Sequence, residues 1–280
     1  MTRLIRAGFR RYFKSAEFFI TLAALVLLGG FGAAETGPHA SPDDIYLVAL
    51  MLGFAAMTAL SVGRELGGGA VRNKIAYGYT KGQIFLSEMT VAFAICSAIL
   101  AVSAVPFLLL DHDILSTIPI DAVIKTVTGL VMLNLAVTAL CVTVCLLVPN
   151  KALSAVMAIV LVIAIMLAGY LLYGELERPK YLDEHVTMDG EYLSEGNTMP
   201  NPRYPDGAKR AVFQFLYNAN PFGQIIEYSE ILSPYFTPHT VSVISKGQER
   251  TLNTAPLYSL GVIIAVSGGG YILFRKKNLK

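Results

Sequence analysis

Six apolar runs, each long enough to cross a bilayer, constrain this chain more than any other feature. About 20 residues at about 1.5 Å rise each span a hydrocarbon core of about 30 Å. The runs are Glu17–Ala34, Ile45–Gly63, Ile84–Leu110, Ala122–Val148, Ala152–Tyr173 and Ala255–Phe274. The third and fourth are long, so they are expected to tilt or protrude. Only 15% of the residues are charged and 54% are hydrophobic, against about 25% charged in a soluble domain. The predicted fold is an all-α polytopic membrane protein.

The positive-inside rule orients the spans. Cations crowd the N-terminus (Arg3, Arg6, Arg10, Arg11, Lys14), the connector after the second run (Arg64, Arg72, Lys74, Lys81), Lys151, and the tail from Arg275. The segments 35–44 and 111–121 carry acids but no Lys or Arg. Both termini are therefore expected in the cytoplasm. The basic start, the apolar run and Gly32-Ala33-Ala34 mimic a secretory signal. The run exceeds the usual 7–15 residues of such a signal, roughly, and five more follow it.

Four regions result. Residues 1–16 read as an interfacial amphipathic helix, with Leu4, Ile5, Gly8, Phe9, Tyr12 and Phe13 on one side. Arg3, Arg6, Arg10 and Arg11 are its candidate contacts to anionic headgroups. Residues 17–173 hold five spans and a cytoplasmic loop, 64–85. Residues 174–254 form a mostly helical extracytoplasmic segment. Residues 255–280 hold the sixth span and a basic tail.

Within the external segment, residues 186–193 read as a hairpin around Asp189-Gly190. Residues 196–205 read as extended, and 240–244 as a strand. A helix over 206–219 precedes Asn220-Pro221, which suits an N-cap with Pro at the first helical position. A second short helix follows, and the pair is expected to lie on the outer membrane surface or dip into it. Small residues at four-residue spacing mark close helix contacts, within the chain or between two copies. They are Ala55, Ala59 and Gly63; Ser154 and Ala158; Ala164 and Ala168; and Gly261, Ala265 and Gly269.

The chemistry of an enzyme or an ion-coupled carrier is missing from this pattern. Glu17, Glu88 and Lys125 lie near span ends, and no charge lies near a span centre, where ion-coupled carriers keep theirs. Asn134, with Thr138 one turn on, is the most polar deep position. It is a candidate for a translocation path, although such an amide more often hydrogen-bonds between helices. Cys96, Cys141 and Cys145 fall inside spans and read as small apolar residues. Asp111-His112-Asp113 reads as a polar stop rather than a metal site, since adjacent residues at a helix end do not converge on one ion. Gly67–Lys74 lacks the Gly before the Lys and the Ser or Thr after it that a phosphate-binding loop requires. Ser267-Gly268-Gly269-Gly270 is buried in a span, beyond reach of a nucleotide. No catalytic residue, metal or cofactor is expected in this chain.

The remaining feature is the connector 64–85. Gly67, Gly68 and Gly69 interrupt the helix leaving the second span. A short helix, a turn near Gly78 and re-entry into the third span are then expected. Gly63-Arg64-Glu65-Leu66, Ala70-Val71-Arg72-Asn73-Lys74-Ile75, Gly78 and Ile84-Phe85-Leu86-Ser87 resemble the first cytoplasmic loop of bacterial ABC type-2 exporter permeases. Asn220-Pro221-Phe222-Gly223-Gln224 and Phe274-Arg275-Lys276-Lys277 agree with the same family. Leu66 replaces a frequent aromatic, Ala70-Val71 replaces Gly-Thr, and the external segment is unusually long.

The resemblance implies a dimeric permease in the bacterial cytoplasmic membrane, docked on two copies of an ATP-binding subunit that holds ATP and magnesium. It assigns Glu65, Arg72, Asn73 and Lys74 to coupling with that ATPase. Nucleic acid is not an expected partner. An amphipathic cargo is expected, first a peptide or peptide antibiotic, second a lipid or drug. The competing reading is a membrane anchor whose external segment captures a ligand by itself.

Overall fold

A computed structural model describes residues 1–34, 42–67, 69–110, 119–148, 150–183, 187–188, 191–192, 198–236 and 245–277. The described chain is almost entirely helical. In order it forms α1 (Thr2–Tyr12), α2 (Ala16–Ala34), α3 (Pro42–Gly67), α4 (Ala70–Ala76), α5 (Lys81–Ser103), α6 (Val105–Leu110), α7 (Ile120–Leu147) and α8 (Lys151–Leu176). Four short strands follow: β1 (Tyr181–Asp183), β2 (Thr187–Met188), β3 (Glu191–Tyr192) and β4 (Thr198–Pro200). The helices α9 (Gly207–Ala219), α10 (Pro221–Phe236) and α11 (Lys246–Lys276) complete the order.

Five of these helices, α3, α5, α7, α8 and α11, are long and apolar enough to cross a membrane. The pair α1 and α2 would supply a sixth crossing only as a single span bent by 64°. The architecture is that of an all-α polytopic membrane protein. One expected span is broken. The run 84–110 divides into α5 and α6 at Ala104, just before Pro106, whose ring lacks an N–H and clashes with the carbonyl four residues back. The last helix is longer than its apolar run. At 31 residues it measures about 46 Å, so its polar start, Lys246–Thr254, projects beyond a hydrocarbon core.

α7 is the bundle's axis, packed against α3, α5, α8 and α11. Its seam with α11 is close because Gly270 faces Thr143: a Cβ on Gly270 would lie 2.4 Å from Thr143 Cγ2. Ala55, Ala59 and Gly63 are buried on α3, and Ser154 and Ala158 on α8. The stripe Gly261, Ala265 and Gly269 behaves differently. It is exposed, and Gly261 and Gly269 each face open space.

The external strands pair as two antiparallel ladders. Thr187 faces Tyr192 and Met188 faces Glu191, the register of a hairpin across positions 189 and 190, which themselves lie outside the described residues. β1 pairs with β4, Tyr181 opposite Pro200 and Asp183 opposite Thr198. The expected strand 240–244 also lies outside the described residues.

The helices α9 and α10 form a hairpin that dips into the bundle. Both pack on α8, and α10 also touches α3, α7 and α11. Asn220 sits at the tip and donates from Nδ2 to the Ile165 carbonyl at 3.0 Å. Ile165 lies eleven residues before the end of α8, Leu176, or about 16 Å along it. Such a turn survives at depth only when its polar groups are satisfied. Asn220 Oδ1 accepts the Phe222 N–H at 2.8 Å, capping α10. Gln224 donates to the Asn218 carbonyl at 2.8 Å and accepts from Ser259 Oγ at 2.7 Å. Glycines admit the hairpin: a Cβ on Gly169 would meet Phe222 at 2.8 Å, and one on Gly129 would meet Tyr228 Oη at 1.7 Å.

Overpacking at the second of these contacts carries a testable cost. Gly129→Ala should destabilise the detergent-solubilised protein by about 1–3 kcal/mol. The loss should shrink in a Tyr228→Leu background, because the two positions share one contact. Thermal unfolding followed by circular dichroism measures both effects, and strictly additive losses would contradict this packing.

Candidate functional site: a charge cluster under the α3–α5 connector

The connector folds as its glycines dictate. Gly69 (φ +68°) starts α4 and Gly78 (φ +87°) turns the chain after it. Both values lie in the left-handed region that disfavours a side chain bearing Cβ. Thr80 then caps α5 through a reciprocal capping box with Gln83. The result is the short helix, turn and re-entry expected from the sequence.

Beneath α4 four charged side chains from four helices meet. Arg11 of α1 pairs with Glu65 at the end of α3 and, through Nη2, with Glu88 Oε2 of α5 at 2.6 Å. Lys74 of α4 lies 2.7 Å from Glu65 Oε2 and 3.1 Å from Glu88 Oε1. Two cations and two anions alternate, so the cluster is neutral. Its centre is dry: the Glu88 side chain is 3% exposed. Each carboxylate has both cations as partners, which offsets the cost of removing these charges from water. A second pair, Arg64 to Glu17 at 3.0 Å, ties α3 to the start of α2.

These contacts divide the predicted coupling residues. Glu65 and Lys74 point inward to the cluster. Arg72 and Asn73 are exposed on the other side of α4, with Tyr77 beside them at 85% exposure. The N-terminal arginines divide as well. Arg3, Arg6 and Arg10 are exposed, whereas Arg11 is turned into the bundle and held by the two carboxylates. Glu88, a charge near a span end in the sequence, lies within α5 and is buried. A carboxylate two turns into an apolar helix demands a cation, but nothing in linear order singled out Arg11, 77 positions away.

The same end of the bundle is tied from below. Lys81 Nζ donates to the carbonyls of Arg275 and Lys277 at 3.0 and 2.7 Å, binding α5 to the end of α11. Lys277 Nζ donates to the Leu146 carbonyl at 2.9 Å, where α7 ends. Cations suit these carbonyl-rich helix termini, and burial lowers the Lys277 pKa.

Asn134 and Thr138 lie elsewhere, buried between α3, α5 and α7. Asn134 borders a cavity of about 20 Å³ with Leu50, Phe54, Leu100 and Leu133. Its Oδ1 accepts from Thr138 Oγ1 at 3.4 Å, a bond within one helix, and its Nδ2 is buried without a partner. In this conformation the pair does not line an open path, and Thr138 links α7 to α5 through the Cys96 thiol. Among the described residues, no group of three His, Cys, Asp or Glu is placed to hold a metal ion. Asp111, His112 and Asp113 lie outside the described residues.

The four charges answer one another. Both carboxylates are saturated by cations, so neither is available as a base. Any displacement of α4 pulls on Lys74, and through the shared carboxylates on α1, α3 and α5. Neither protein-family models nor curated protein sequences match the chain.

Breaking one member should expose the cluster's energetics. Glu88→Gln leaves a buried excess of positive charge and should cost about 3–5 kcal/mol. Lys74→Gln in that background restores neutrality, so the double variant should be more stable than the summed single losses by about 1–3 kcal/mol. Additive losses in thermal unfolding would show that the four charges do not act together.

Proposed function

We propose that this chain is the membrane subunit of an ATP-driven exporter in a bacterial cytoplasmic membrane, working as a dimer on two ATP-binding subunits. One observation carries the reading: α4 is gripped from inside by the charge cluster while its outer face, Arg72, Asn73 and Tyr77, is free. A helix built in this way serves as a handle. A soluble engine grasps the outer face, and the cluster passes the displacement to α1, α3 and α5. The resemblance of 63–87 to the coupling loop of type-2 exporter permeases supports the same assignment.

In this mechanism, ATP and magnesium act in the partner subunit. Closure of the ATPase dimer moves both α4 helices, and the packed bundle changes its exposure from one side to the other. Glu65 and Lys74 serve as internal transmitters, and Arg72 and Asn73 as the contacts to the ATPase. Arg3, Arg6 and Arg10 hold α1 at anionic headgroups. The exposed Gly261–Ala265–Gly269 stripe of α11 offers a close-packing surface to the second copy. The cargo is amphipathic, a peptide or peptide antibiotic before a lipid or drug. The rival reading, an external unit that captures ligands alone, is disfavoured by α10, whose Phe222, Ile225 and Tyr228 are buried in the bundle.

Arg72→Glu and Tyr77→Ala alter exposed positions only, so each should change stability by less than about 0.5 kcal/mol. The combined variant should lose co-purification with the cassette ATPase. ATP-driven uptake of cargo into inverted vesicles should fall by roughly tenfold or more, the effect of losing about 1.4 kcal/mol of docking energy. Unchanged uptake by the double variant would refute α4 as the docking helix.

A further inference from the structure

At the end of α11 opposite the charge cluster lies a polar cavity of about 390 Å³. That volume falls in the range of small-ligand sites, about 300–1,000 Å³. Its walls are α9, α10 and the start of α11. Glu227 of α10 and Arg250 of α11 both line it, together with Gln214, Asn218, Thr251 and Tyr258. Among the described residues neither Glu227 nor Arg250 belongs to an ion pair, unlike the four charges under α4; Glu227 has Tyr217 as a hydrogen-bonding neighbour and lies near the carboxylates of Glu230 and Glu177, which add to the negative wall.

The cavity is held open by its own frame. Gln224 also lines it, is 2% exposed, and spends its amide on the Asn218 carbonyl and on Ser259 Oγ. These bonds join the hairpin to α11 behind the cavity. Arg250, Thr251 and Thr254 belong to the polar start of α11, and Ala255 and Tyr258 to the apolar part that follows. The cavity therefore straddles the level where a spanning helix leaves the hydrocarbon. Tyr258 packs edge-on against Phe215 at 5.9 Å between ring centroids, and such aromatics belong at the headgroup level. Around them the surface is apolar: Phe215 is 59%, Leu216 46% and Leu257 65% exposed.

We infer that this cavity binds the headgroup of a zwitterionic phospholipid, with a primary ammonium at Glu227, the phosphate at Arg250, and the acyl chains on the apolar flank of α9 and α11. Charge complementarity selects the headgroup. A singly charged ligand would engage one wall only, whereas an ammonium and a phosphate two carbons apart engage both. A primary ammonium donates hydrogen bonds to Glu227 and to the amides, which a quaternary ammonium cannot do. Arg250 presents the forked donors that suit phosphate. The exposed apolar flank selects a lipid over a free headgroup. The inference rests on α11 crossing the membrane and is independent of any role in export.

The test uses the full chain in detergent and short-chain phosphatidylethanolamine, phosphatidylcholine and phosphatidylglycerol, with binding read by native mass spectrometry. Phosphatidylethanolamine should bind at least tenfold more tightly than either other lipid. Glu227→Gln should remove that preference while leaving phosphatidylglycerol binding unchanged, and Arg250→Gln should weaken binding of all three lipids by roughly tenfold, since each carries the phosphate. Arg250 is exposed, so its variant decides the matter even where Glu227→Gln fails to fold. Free phosphoethanolamine should bind at least tenfold more weakly than the lipid; equal binding would overturn the lipid as the occupant. Equal affinity for the three lipids, a preference that survives Glu227→Gln, or lipid binding unaffected by Arg250→Gln would overturn the site itself.

Discussion

Two cations and two carboxylates meeting out of water hold one end of this protein together. Arg11, Glu65, Lys74 and Glu88 come from four different helices, and each carboxylate needs both cations to be tolerable at that burial. Isolated, Glu88 would carry a desolvation cost of several kcal/mol. Neutralised, it fixes where α1 and α4 lie against α3 and α5. Without the cluster, α4 would be seven residues between two left-handed glycines, too short to hold a helix in isolation. The shape of the connector is thus set as much by charge as by local propensity.

That arrangement makes α4 rigid toward the bundle and open toward water. A hydrophobic grip would also position a short helix, but apolar contacts slide. Four alternating charges do not: moving one cation away from two carboxylates leaves buried charge uncompensated. A displacement applied to α4 is therefore carried inward rather than absorbed. The neighbouring links act in the same sense. Lys81 clamps the end of α11, and Lys277 clamps the end of α7. The ends of α1, α3, α5, α7 and α11 on this side are joined by cations placed on carboxylates or carbonyls.

Much of the architecture was legible because bilayer-length apolar runs leave few options. Gly69, Gly78 and the Asn220-Pro221 turn also announced themselves, since each encodes a backbone conformation that acts locally. What escaped was long-range and depended on partners. Arg11 looked like its neighbours Arg3, Arg6 and Arg10, because amphipathic periodicity assigns a side and says nothing of what that side meets. Glu65 and Lys74 read as surface contacts, yet their carboxylate and ammonium complete a buried set with residues from α1 and α5. The break at Ala104 was signalled by Pro106, but an unbroken apolar run masked it. Gly129 and Gly169 gave no sign of the hairpin they admit, since a glycine in a span marks a close approach without naming its partner.

The two ends of the bundle treat charge in opposite ways, and that contrast bears on how they work. Under α4 the four clustered charges are answered from within the chain, so they have no charge left to offer a ligand. Beside α11 the carboxylate of Glu227 and the guanidinium of Arg250 face a common space without pairing. A protein gains nothing in stability from holding two such groups apart, so the separation is best understood through what fits between them. The ends are mechanically continuous. α7 and α11 run the length of the bundle, sealed at Gly270 and Thr143 and linked at their other ends by Lys125 and Glu249, 3.5 Å apart. Two packed helices thus run from the connector end to the wall of the cavity at the other. A ligand held between Glu227 and Arg250 would in turn bias the position of α11, and through Lys81 the position of α5 and the cluster.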